Sequence, residues 1–209
     1  MDRLSHLPPV ELGFARIPEA TLGRLRALAE AAAAAAAGLE ALTRSASRPA
    51  EVTAAAAQAR RLARDAVEDG ALLRAGGVDP ADLLRLARAL AAACVRAAEA
   101  AGAVAGQAPL ERWRPAVAVA RDLAREQAAA VGELNGAVEP IEARLERMDQ
   151  LLREARTLRR GLRADLVVAA REPLALGAAL EALLRVERTL AASAGVVAAL
   201  RLILLRHRR

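Results

Sequence analysis

Four arginines in the second half of the chain, Arg153, Arg156, Arg160 and Arg163, are spaced three, four and three residues apart. On a helix of about 3.6 residues per turn, that spacing places four guanidinium groups on one face. A guanidinium is planar, permanently charged and well matched to carboxylates and phosphates. The array could therefore dock an acidic partner, a phosphate group or the anionic surface of a membrane. The plainer reading is a solvated polar face, with Glu154 and Asp165 close by in sequence to pair with some of the arginines. These four arginines are the candidate partner-binding residues.

Little else in the sequence can do chemistry. An enzyme needs a nucleophile, an acid or base, and a frame that holds them together. Histidine occurs only as His6 and His207, both near chain ends where a solvated role is the default. Cys94 has no histidine near it in sequence and lies in an apolar run, so it reads as a small buried hydrophobe in a reducing compartment. No Gly-rich phosphate loop and no H-E-x-x-H metal motif is present. The expectation is a protein that is not an enzyme, with no catalytic residue and no cofactor.

Charge and composition narrow the partners. No lysine occurs, so the 31 basic residues are all arginine; against 25 acids they give a net charge of +6, spread along the chain rather than gathered in a block. With one Phe, one Trp and no Tyr there is almost nothing on which a base could stack, so nucleic acid is not an expected partner. The opening MDRLSHLPPVELGF lacks the apolar core of a signal peptide. The longest charge-free apolar run near the end, 189–200, stops at Arg201, short of the roughly 18–20 residues a membrane span needs. A cytoplasmic protein is expected, touching a membrane only through a partner. The terminus LILLRHRR at 202–209 is apolar then basic and could lie on a membrane surface, although a frayed, solvated helix end is the plainer reading.

Any such face must be carried by helices. Alanine, leucine, arginine and glutamate are strong helix formers, and no window alternates apolar and polar residues in the manner of a strand. Breaks at SASRPA (45–50), AGGVDP (75–80), GQAP (106–109), NGAVEP (135–140) and REP (171–173) each join loop formers to a proline suited to a helix's first turn. An all-α fold of six helices follows, each of roughly 24–36 residues. Asp79-Pro80-Ala81-Asp82 is the clearest start: Asp79 can cap, Pro80 fits the first turn, and Asp82 can offer its carboxylate to the free amides.

Apolar stripes define the inner faces. Ile141, Leu145, Met148, Leu152, Ala155, Leu158, Leu162 and Leu166 step by three and four along the fifth helix, and Leu176, Leu180, Leu183, Val186, Leu190, Ala194 and Val197 along the sixth. In the first helix seven consecutive alanines, Ala31 to Ala37, remove bulk on every side, which suits close approach of neighbouring helices. With Pro80 laid on Pro173, Leu83 falls on Leu176, Leu90 on Leu183, Ala98 on Ala191, Ala101-Gly102 on Ala194-Gly195, and Val104 on Val197. That register suggests duplication: two tandem three-helix up-down bundles, 1–105 and 106–209, packed as one body.

Two related helical triplets opening with an alanine-rich helix resemble the PhoU-like family of phosphate-transport regulators, in particular the accessory proteins of Pit phosphate transporters. The sharpest point is VDPADLLRLARALAAACVRAAEAA at 78–101, where Asp79, Asp82, Leu83, Leu86 and Leu90 match the opening of the family's third helix. The family continues with a pair of aspartates, a further aspartate and a glutamate. This sequence has Ala91, Ala92 and Val95 there, with only Glu99 near the last position, and the second triplet has Leu184, Arg185 and Arg188.

In the family, acids one helical turn apart combine with acids of a neighbouring helix to hold metal clusters. The acidic signature is degenerate here, and apolar replacement removes the cost of a buried carboxylate without its cation. Of the acids nearby, Asp65, Glu68 and Asp69 within 58–69 are out of register, and Glu146 and Asp149 within 144–149 keep a weaker spacing. The resemblance thus implies a metal-free, non-enzymatic regulatory or accessory protein of inorganic phosphate transport. It would act by contact with a phosphate transporter or a regulatory protein. The alternative is a structural or scaffolding bundle, possible as a homodimer through an alanine-rich face, that has lost the family's metal-dependent role.

Overall fold

The computed structural model describes residues 16–44, 78–169 and 172–207, with separate positions between 50 and 65. It contains α1 (Glu19–Arg44), α2 (Pro80–Ala105), a 3-10 turn (Leu110–Trp113), α3 (Arg114–Gly132), α4 (Val138–Ala169) and α5 (Pro173–His207). The described positions between 50 and 65 are helical as well. Most of the second of the six expected helices, with Glu68 and Asp69, lies outside the described residues, as does His6.

Local signals place most helix starts. Asp79 accepts a hydrogen bond from the Ala81 amide at 2.9 Å and Pro80 opens α2, as the sequence suggests. Asp82 behaves otherwise. It is 1 % exposed and, rather than serving only the first-turn amides, accepts hydrogen bonds from Arg206 at 3.1 and 3.3 Å and from Arg85 at 3.4 Å. Arg206 reaches it from the last turn of α5, where Ile203 and Leu204 are buried. The terminus is therefore a docked helix end up to that turn, and not the frayed one expected.

The GQAP break also departs from expectation. Pro109 follows a cis peptide and leads into the 3-10 turn, and α3 begins at Arg114 with Pro115 in its first turn. The turn carries Trp113, the one tryptophan, into the core at 1 % exposure, and burying so large a ring outweighs continuing the helix back to Pro109. At 19 residues α3 is shorter than the range expected.

The buried side chains form one core cluster drawing on all five helices. The most extensive pairing is α2 with α5, the two helices matched through Pro80 and Pro173; α1 packs on α2 and α3, and α4 on α3 and α5. Of the alanine run, Ala31, Ala32, Ala35 and Ala36 are buried, while Ala34 and Ala37 face outward. At this face α2 comes close enough for the Cys94 thiol, fully buried, to donate to the Ala31 carbonyl oxygen at 3.4 Å. The stretch Pro173–Arg206 is long and apolar enough by composition to cross a membrane, and half of its most apolar window is buried inside the bundle.

If buried alanines set the α1 spacing, enlarging one should separate helices that cannot part freely. Ala35→Leu is expected to destabilise the protein by about 1–3 kcal/mol through overpacking, whereas Ala34→Leu should stay within about 0.5 kcal/mol. Urea denaturation of the two variants checks this, and equal effects would refute the spacer role.

Candidate partner-binding face

The inner face of α4 fixes what its outer face displays. Ile141, Leu145, Met148, Leu151, Ala155, Leu162 and Leu166 are buried, and Leu152 and Leu158 half-buried. Arg153, Arg156, Arg160 and Arg163 fall on the far side and are all exposed. Among the described residues, none of the four forms an ion pair. Glu154 and Asp165, close in sequence, do not neutralise them, because at about 100° per residue they lie roughly 140° or more around the helix from the midline of the array.

Arg159, which the spacing argument passed over, turns toward α5 and lies 3.7 Å from Glu187. Further down the same helix pair Arg201 of α5 pairs with Asp149. On the array's flank Leu152, Ala155, Arg156 and Arg159 of α4 and Glu187, Leu190, Ala191 and Ala194 of α5 line an open groove of about 310 Å³. Its floor is aliphatic and its α4 edge is guanidinium. The apolar floor could have been suspected from small residues at 191 and 194 beside the α5 stripe, but Arg159 and Glu187 depend on how α4 and α5 register against each other.

Two arginines elsewhere bridge neighbouring helices. Arg144 of α4 grips Glu133 with two hydrogen bonds of 2.8 and 2.7 Å and Glu126 of α3 with one of 3.0 Å. The Arg144 hydrogen bonds hold the Glu133 carboxyl below its ordinary range, against a smaller opposing effect of burial, and Glu133 foremost raises Arg144 in return. Arg121 of α3 bonds Asp122 at 2.9 and 2.8 Å and reaches Glu40 of α1 at 2.6 Å; Asp122 first, then Glu40, raises its pKa. Glu40, 6 % exposed, also accepts from Arg44 at 2.7 Å.

The positions where the PhoU-like resemblance places metal ligands do not suit a cation. Ala91 is buried, Ala92 exposed and Val95 half-buried; on α5 Leu184 and Arg188 are exposed and Arg185 half-buried. A carboxylate would thus be buried at Ala91 but would face solvent at Ala92. Glu99 is engaged by Arg96 at 2.6 Å and lies 3.7 Å from Arg185. Among the described residues no group of three or more His, Cys, Asp or Glu gathers at a site that could hold a metal ion.

Two measurements test this account. Because Glu133 titrates below its ordinary value of about 4.5 when folded, its contribution is present above the unfolded pKa and is lost as pH falls through the folded one. Glu133→Gln should therefore reduce stability by about 0.5–1 kcal/mol at pH 7, with the difference shrinking in acid below the ordinary carboxylate range; a pH-independent difference would contradict the pairing. Protein purified without chelator should carry no stoichiometric iron, manganese or zinc, and elemental analysis showing one of them would overturn the reading of the ligand positions.

No family model matches the sequence, and no curated protein matches it. Similarity appears in solved structures. The crystal structure of a PhoU-like protein from Shewanella oneidensis MR-1 aligns with a TM-score of 0.74 at 17 % identity, over 88 % of this chain and 99 % of that one. A second crystal structure from the same organism, of a PhoU-like protein assigned to phosphate regulation, aligns with a TM-score of 0.68 at 16 % identity, over 89 % of this chain and 99 % of that one. These likenesses identify the fold as an all-α, PhoU-like helical bundle.

Proposed function

We propose that this chain is a non-enzymatic regulatory or accessory protein of inorganic phosphate transport, of the Pit accessory type, that works in the cytoplasm by contact with a transporter or regulatory protein. The observation that carries the reading is the PhoU-like fold, which extends over nearly the whole length of a structure assigned to phosphate regulation. The degenerate acidic positions, occupied by Ala91, Ala92 and Val95, favour a mechanism that runs through helix surfaces without metal. The arginine face of α4 supports the contact role, since its four guanidinium groups are exposed and without ion-pair partners among the described residues. Within this reading the chain divides into related triplets near Gly106.

A scaffolding role as a homodimer is the alternative, favoured by the exposed Ala34 and Ala37 on α1. Two experiments separate the readings. A phosphate transporter encoded beside this protein should be retained by it in a pull-down, and Arg156→Glu with Arg160→Glu should reduce retention about tenfold; a neighbourhood without a transporter, or retention unaffected by the charge reversals, counts against the transporter reading. Light scattering should give a monomer mass; a dimer that Ala34→Arg converts to monomer would establish the scaffold instead.

A further inference from the structure

The groove between α4 and α5 is open to solvent, yet its floor is made of Leu152, Ala155, Leu190, Ala191 and Ala194. Aliphatic floors with a polar rim are the form in which an amphipathic helix is received, its apolar stripe in the groove and its polar flanks on the rim. Charge settles which kind of helix. On the α4 side Arg156 and Arg159 line the groove, and Arg153, Arg160 and Arg163 continue the same outer face. Glu187, the one carboxylate that lines the groove, lies 3.7 Å from Arg159 and is already accompanied. The small side chains at Ala191 and Ala194 allow a guest backbone to approach α5 closely, as the alanines of α1 do for α2.

We propose that this groove docks an amphipathic helix of a partner protein, with leucine-type residues on its inner face and carboxylates along the flank that meets Arg153, Arg156, Arg160 and Arg163. The inference rests on the protein-contact reading above and narrows it to one surface and one partner chemistry. The arginines steer and orient the incoming carboxylates, and the aliphatic floor supplies the desolvated contact. A flat lipid surface would meet the arginines equally well, but it has no segment to place in the groove.

A labelled 18-residue helix-forming peptide, with leucines at i, i+3, i+4 and i+7 and glutamates on one flank, tests this by fluorescence anisotropy against the full chain. Saturable binding is expected, weakened by added salt. The double variant Arg156→Glu, Arg160→Glu should weaken it about tenfold. Ala191→Gln, which fills the exposed floor without altering charge, should weaken it by a similar factor. Arg125→Glu, an exposed arginine on α3 away from the groove, should change it less than about twofold. Absence of binding, equal binding of a sequence-scrambled peptide, or indifference to Ala191→Gln would overturn the proposal. So would sedimentation with phosphatidylglycerol vesicles that is abolished by the arginine reversals while the peptide fails to bind. Peptide binding that survives when no phosphate transporter is retained would uphold the groove and defeat only the transport reading.

Discussion

Small side chains set the distance between these helices, and the rest of the structure adapts to that distance. Ala31, Ala32, Ala35 and Ala36 on α1, and Ala87, Ala93, Ala97, Ala100 and Ala101 on α2, are buried where larger protein cores would place leucine or phenylalanine. Each buries little apolar area by itself. The close approach that they allow is visible in the Cys94 thiol meeting the Ala31 carbonyl oxygen. Packing of this kind depends on long, continuous contact rather than on a few large anchors, which accounts for lengths of 26 to 35 residues in four of the five helices described from end to end. Trp113 is the exception, and the chain breaks its helix to seat it.

Two groups of arginines have different physical roles. Arg121 and Arg144 span neighbouring helices and spend their hydrogen-bonding capacity on Glu40, Asp122, Glu126 and Glu133. Such partly exposed pairs contribute modestly to stability, but they fix how α3 sits against α1 and α4. Arg153, Arg156, Arg160 and Arg163 on the outer face of α4 show no such pairing among the described residues. Their charges point into water from a rigid helix, ordered in advance by the leucine stripe on its opposite side, so a partner would meet them with little further loss of side-chain scaffold freedom.

What could be read from the sequence was local or periodic. Asp79 and Pro80 announced the start of α2 because a cap acts within one turn, and the arginine face followed from helical geometry alone. Features that join distant residues were not legible. Asp82 meets Arg206 at a separation of 124 residues, and the Asn135 side chain holds both the amide and the carbonyl of Ile17 at 2.8 Å across 118 residues. NGAVEP read correctly as a turn, but nothing in it says that its asparagine clamps the entry to α1. Glu154 and Asp165 misled for a related reason: nearness along the chain is not nearness around a helix.

The pairing of α2 with α5 has a consequence for how the protein is made. α2 ends at Ala105 and its main partner begins at Pro173, so about 70 residues must leave the ribosome before the partner starts to emerge, several seconds at about 5–20 residues per second. During that interval the leucines and alanines that α2 later presents to α5 have no native cover. A nascent chain in this state is a natural client for chaperones that shield apolar helices, and slowing translation beyond Ala105 would lengthen its exposure to aggregation.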